Sequence, residues 1–251
     1  MMLEAKTAIV YGAGGPIGSA VARAFAREGA RVFLVGRRRP ALDDVAAAIS
    51  RSGGAADVAT VDAVDRAAVQ VHAAAVAETA GGIDIAFNAT SNDDIQGTPL
   101  TEMRFEDFLL PVTKSVTTLF NIATTAAPYM VPRGAGAILV MGGGREAIAN
   151  LGGSHVAWAA LAGLCRQLAA ELAPGGVRVA WLLSPGSPDA PAGLDESGNQ
   201  PVGSDPYASD TLLGRRPTHD DVANTAVFLA SDWARTMTAT EVNITAGAVV
   251  D

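Results

Sequence analysis

What most constrains the fold is an alternation that runs the length of the chain. Short, β-rich apolar segments are separated by longer Ala- and Leu-rich segments of helical period. The strand candidates are Thr7–Tyr11, Arg31–Val35, Ala56–Val61, Ile83–Phe87, Ala137–Met141, Val177–Leu183 and Thr240–Ile244. They read as nearly continuous apolar runs, the pattern of strands covered on both faces. The intervals predict helices at roughly 17–28, 40–52, 66–79, 101–131, 155–173 and 219–231. Gly29 is placed to cap the first, Pro40 suits the first turn of the second, and Thr218 with Asp221 marks the start of the last. Such alternation predicts right-handed crossovers and a mostly parallel α/β sheet of about seven strands, doubly wound with helices on both faces.

Composition sets the outer limits. The chain of 251 residues is 49% hydrophobic, enough for one large core and a single domain over residues 1–251. A formal charge of −8 argues against a nucleic-acid partner, because phosphate backbones are held mainly by basic side chains. The single cysteine, Cys165, lies in an apolar helical stretch and reads as a buried core thiol. No basic-then-apolar leader is read at the N-terminus, and no apolar run reads as long enough to cross a bilayer. The expectation is a soluble, cytoplasmic protein with no membrane or metal partner, since no His, Cys or carboxylate cluster has metal-ligand spacing. One long irregular stretch at about 184–212, rich in Pro, Gly, Asp and Ser, reads as a lid over a substrate site.

The first strand leads into Tyr11-Gly12-Ala13-Gly14-Gly15-Pro16-Ile17-Gly18 and then a helix. Glycines between the first strand and helix of a βαβ unit let bare N–H groups approach a pyrophosphate at the helix's positive end. This turn makes the predicted fold a Rossmann-type dinucleotide-binding domain. At the end of the second strand, where Asp or Glu would read a free ribose 2′-hydroxyl, the chain has Gly36-Arg37-Arg38-Arg39. Guanidinium groups suit a 2′-phosphate, so the reading favours NADP(H) over NAD(H).

In this order the features resemble the short-chain dehydrogenase/reductase family over essentially the whole chain. The glycine turn is similar to that family's T-G-x-x-x-G-x-G. Asp62 and Ala63 match the adenine-holding pair after the third strand, Asn88-Ala89-Thr90 match N-A-G after the fourth, and Pro185-Gly186 match P-G after the sixth. The resemblance implies that Gly12, Gly14, Gly15, Ile17, Gly18, Arg37, Arg38, Asp62, Ala63, Asn88, Ala89, Thr90, Pro185 and Gly186 hold the cofactor. Two departures lie in the turn: Tyr11 stands for Thr, and Pro16, which has no N–H, for the middle glycine.

The family's four catalytic side chains are missing. Aligning the long helix through Arg166–Leu172 puts Ser154 at the tyrosine position and Trp158 at the lysine position, with Gly143 at the serine and Ser115 at the asparagine. No register restores the pair, because the residues four beyond Tyr11, Tyr129 and Tyr207 are Gly15, Arg133 and Thr211. Losing a positioned general acid typically removes about 10²–10⁴ in rate. Ser154 faces correctly but has no evident base in the sequence. His155 suits acid–base work, although it points about 100° around the helix from Ser154. Arg145 and Asn150 border the same region, while His72 and His219 read as remote from the strand ends.

Three readings stay open. One is an NADP(H)-dependent oxidoreductase acting on a carbonyl or an activated C=C or C=N bond, with Ser154, His155, solvent or substrate moving the proton. Another is a non-redox enzyme on the same scaffold. The third is a catalytically silent binding or partner subunit. The resemblance also implies oligomerisation through the two long helices, as a homotetramer or homodimer, or as a hetero-oligomer with an active relative.

Overall fold

The structure, a computed structural model, describes residues 1–145, 148–184 and 211–250. Seven parallel strands form one sheet: β1 (Thr7–Tyr11), β2 (Arg31–Gly36), β3 (Ala55–Thr60), β4 (Ile85–Asn88), β5 (Gly136–Met141), β6 (Val177–Leu183) and β7 (Thr240–Asn243). Their order across the sheet is β3-β2-β1-β4-β5-β6-β7. The helices are α1 (Pro16–Arg27), α2 (Arg39–Arg51), α3 (Arg66–Ala80), α4 (Phe105–Met130), α5 (Ser154–Leu172) and α6 (His219–Ala230).

The five inner strands, β1, β2, β4, β5 and β6, are buried on both sides, which is why they read as unbroken apolar runs, while the edge strands β3 and β7 are partly exposed. One core layer joins α1, α2 and α6 to the face carrying Val10, Leu34, Phe87 and Leu182. The other joins α3, α4 and α5 to the face carrying Ile9, Val35, Ala86 and Val179. Cys165 belongs to the second layer, and burial pushes its thiol up to about 12. Caps close several helices as expected: Gly29 takes φ +92° after α1, and Thr218 and Asp221 form a reciprocal capping box on α6.

The differences from expectation are local. β3 begins and ends one residue early and β4 starts at Ile85 rather than Ile83, while α4 starts at Phe105 because Pro99, Glu102 and Met103 form a separate hydrogen-bonded turn before it. The segment Ser154–Gly175 is long and apolar enough, at mean hydropathy 1.2, to cross a membrane by composition, contrary to the expectation that no run reaches that length. In the fold it carries α5, which packs against α4 and β6. The expected lid lies outside the described residues, apart from Ser184, Thr211 and Leu212.

Strand order reverses between β1 and β4. Chains leaving these neighbouring strands turn to opposite sides of the sheet and leave a crevice beyond their carboxyl ends.

Candidate functional site

At that crevice the loops after β1, β2, β3 and β4 enclose a cleft of about 410 Å³. The turn after β1 forms its floor, and close backbone packing explains its glycines. Gly12 has φ +78°, and a Cβ there would lie 2.3 Å from the Ala89 carbonyl oxygen. A Cβ on Gly18 would lie 2.2 Å from the Gly12 oxygen. Each side chain removed lets β1, α1 and the β4 loop meet, leaving a cradle of bare backbone. Pro16 occupies the first turn of α1, where its missing N–H costs no helix bond. Ile17 and Gly18 still present orphan N–H groups at the helix's positive end.

Tyr11, at the threonine position, is buried in the core with its ring edge-on to His72 at 6.4 Å. Neither the Tyr11 hydroxyl nor His72 Nδ1 has a hydrogen-bond partner among the described residues. Burial holds the phenol well above its ordinary range and the imidazole below its own.

The three arginines after β2 separate in space. Arg39 pairs along α2 with Asp43 at 2.8 Å, so it is committed elsewhere. Arg37 and Arg38 both line the cleft. Arg37 lies 3.8 Å from Asp93 on the loop after β4, and Lys114 of α4 also bonds Asp93. The hydrogen bond from Lys114 is the main cause holding the Asp93 carboxyl below its usual range.

Of the residues assigned to the cofactor, Gly12, Gly14, Gly15, Ile17, Gly18, Arg37, Arg38, Asp62, Ala63, Ala89 and Thr90 line this one cleft. Asn88 does not. Its side-chain Oδ1 accepts the Thr90 N–H at 3.0 Å and hydroxyl at 2.8 Å, and it lines a second cleft. Pro185 and Gly186 lie outside the described residues. His219 corrects the sequence reading: α6 begins beside the glycine turn, so His219 lines the cleft instead of lying remote from it. Sequence reasoning also missed Asn121, a buried α4 side chain whose amide donates to the Ala63 and Val64 carbonyls at 3.0 Å and so fixes the Asp62–Ala63 loop.

The second cleft, of about 300 Å³, shares Thr90, Ser91 and Thr118 with the first and is lined by Ser115 and Trp158. Ser115 is buried along its wall. At the serine position Gly143 lies directly under Trp158, and a Cβ there would fall 2.0 Å from the indole Cε2. The indole at the lysine position thus fills the space of the serine side chain. Ser154, for which the sequence offers no evident base, is fully buried and donates to Asp94 Oδ2 at 2.5 Å, across 60 positions of the chain. The neighbouring His155 is turned elsewhere, with Nε2 donating to the Arg145 carbonyl at 2.6 Å. Arg145 is itself bound to Glu241 at 2.5 Å. Asn150 takes φ +65° and its carbonyl accepts the Gly97 N–H, a structural role in joining the β4 loop to the start of α5. No His, Cys or carboxylate group suited to a metal occurs among the described residues.

Comparison with known proteins agrees with this geometry. A family model described as enoyl-(acyl carrier protein) reductase matches residues 12–248. The D-threitol dehydrogenase of Mycolicibacterium smegmatis is 32% identical over 254 residues, covering 98% of this chain and 93% of its own. An oxidoreductase of Bacillus subtilis is 30% identical, covering 98% of this chain and 91% of its own. A short-chain type dehydrogenase/reductase structure from Mycobacterium ulcerans superposes with a TM-score of 0.90 at 26% identity, covering 99% of this chain and 91% of its own. The chain belongs to the short-chain dehydrogenase/reductase family. Its relatives are oxidoreductases, and membership implies a nicotinamide cofactor and a small-molecule substrate.

Proposed function

We propose that the protein is an NADP(H)-dependent oxidoreductase acting on a small hydroxyl or carbonyl compound, or on an activated C=C or C=N bond, by a proton route other than the family's Tyr–Lys pair. The observation that carries the cofactor preference is the pair Arg37 and Arg38 at the cleft edge, where β2 ends at Gly36 without a carboxylate. The Arg38 guanidinium makes no hydrogen bond or ion pair among the described residues, and only its backbone carbonyl is engaged, by Leu42 N–H, so its side-chain donors remain available to a phosphate oxygen. The cradle fits the rest of the group. Gly12 and Gly18 admit backbone contact, Ile17 and Gly18 offer N–H groups to a pyrophosphate, and Asp62 and Ala63 border the adenine end.

When bound, the nicotinamide cofactor supplies hydride transfer. The chain's own part is to bind, to orient and to exclude water. Asn88 and Thr118 shape the boundary between the clefts, and Trp158 seals the floor over Gly143. Ser154 does not line the cleft, so its role in proton transfer runs through Asp94. The same Trp158–Gly143 packing favours a second reading, a silent binding subunit, because it closes the space where the family's serine would act. Exposed Phe105, Leu109, Leu110 and Phe120 on α4 and Val156 on α5 suit the family's helix-mediated homodimer or homotetramer, in a reducing cytoplasmic setting.

Titration with NADPH and NADH, followed by protein fluorescence, tests the cofactor reading. Saturable NADPH binding should weaken about 10- to 100-fold in Arg37→Ala/Arg38→Ala, while NADH binding stays within about twofold. Equal affinity of the native protein for both would overturn the preference. Turnover of NADPH by the purified protein would eliminate the silent-subunit reading.

A further inference from the structure

The second cleft gathers polar groups that the fold itself leaves uncommitted. The carboxylate of Asp94 is held from one side only: Oδ2 accepts from Ser154 Oγ and from Gln96 Nε2, both at 2.5 Å, while Oδ1 has no hydrogen-bond partner among the described residues. Asn92, half-buried two residues earlier, lines the same cleft, and its side-chain amide has no partner among the described residues. The hydroxyl of Ser115, a buried α4 residue, likewise bonds no described side chain or backbone group. Trp158 completes the wall, resting on Gly143 and presenting aromatic surface to the cleft.

We infer that this cleft binds a small neutral polyol or its hydroxy-carbonyl counterpart, with Asp94 Oδ1 accepting from one hydroxyl, Asn92 and Ser115 exchanging hydrogen bonds with the next, and the carbon chain lying against Trp158. The assignment deepens the oxidoreductase reading, since it names the substrate class for that same site. The arrangement selects hydroxyls because it offers acceptor and donor groups together. An ammonium has three donors and no acceptor, so it would satisfy Asp94 but leave the Asn92 amide donors idle. A purely apolar substrate would strand all three polar groups, at a cost for each buried group left unpaired. The volume of about 300 Å³ is at the small end of ligand sites, which suits a chain of few carbons. Ser154 and Gln96 are positioning residues in this assignment, because they touch the carboxylate and not the ligand.

Calorimetric titration of the full-length protein with meso-erythritol, ethanolamine and 1-butanol, with and without saturating NADPH, tests it on the native chain. Erythritol should bind saturably and at least about tenfold more tightly than either competitor. Asp94→Asn should weaken erythritol at least about tenfold while leaving NADPH affinity within about twofold and the melting temperature near that of the native protein. Ser154→Ala should lose less than Asp94→Asn, and the Asp94→Glu variant should recover part of the erythritol affinity. Tighter binding of ethanolamine or butanol, or undiminished erythritol binding in Asp94→Asn, would overturn the polyol site. NADPH binding with no response to erythritol overturns the polyol site alone. Erythritol binding with no response to NADPH instead sinks the dinucleotide reading and leaves the polyol site standing.

Discussion

The two clefts share a wall but depart from the family pattern in different ways. In the first cleft, Tyr11 and Pro16 replace expected residues, yet the cradle keeps its shape because it is built from backbone. Tyr11 sends its ring into the core and Pro16 stands where a helix needs no N–H. In the second cleft the family's chemistry would belong to side chains, and each replacement changes what the wall offers. A site made of main chain survives changes of residue type that a site made of side chains does not. The second cleft has been refilled rather than emptied: indole over glycine, and hydroxyl against carboxylate.

Breaking the backbone cradle should give the largest effect. Gly12→Val puts a branched Cβ 2.3 Å from a carbonyl oxygen at φ +78°. Urea denaturation should show a loss on the order of 3 kcal/mol or more, with dinucleotide binding abolished. A folded Gly12→Val protein that still binds NADPH would contradict the claim that the turn must be bare.

The second comparison can be sharpened by restoring family residues singly and together. Gly143→Ser alone should cost about 1–3 kcal/mol, because its side chain meets the indole. Combined with Trp158→Lys the cost should shrink, and a double-mutant cycle in thermal melts should show a coupling of about 1 kcal/mol or more. Strict additivity would mean the two positions are independent.

The smallest effect belongs to the cap that brings His219 to the first cleft. The Thr218 N–H, aided by Arg215, holds the Asp221 carboxyl below its usual range. A carboxyl depressed in the folded state contributes stability above its unfolded pKa, near 4, and loses that contribution as pH falls through the folded value. Thr218→Ala keeps that N–H but loses the hydroxyl that donates to the carboxyl and accepts from the Asp221 N–H, and should cost about 1 kcal/mol at neutral pH. The deficit should narrow in melts taken below about pH 4. A deficit that grows on acidification would reverse the assigned sign.

Much of this was legible in the sequence because its signals are local. The strands show as apolar runs, and the glycine turn, Arg37 and Arg38, and the Thr218–Asp221 cap each fall within a few residues. The absence of a Tyr-to-Lys pair is read from the sequence for the same reason, since that spacing is a property of one helix. What stayed hidden depends on distant segments meeting. Asp94 reaches Ser154 across 60 positions, Asn121 reaches the Asp62–Ala63 loop across 58, and the split among three adjacent arginines depends on what each finds beyond its loop. His219 was misplaced because a helix read in isolation does not say which end of the sheet it approaches.

The seating of Trp158 on Gly143 bears on the history of such a chain. Regaining the serine first drives a hydroxymethyl group into an indole, and losing the indole first leaves a void over bare glycine. Each single step toward the family's usual arrangement is unfavourable before the second can reward it. Selection acting one substitution at a time would meet a ratchet at this position, because the indole and the bare glycine hold each other in place.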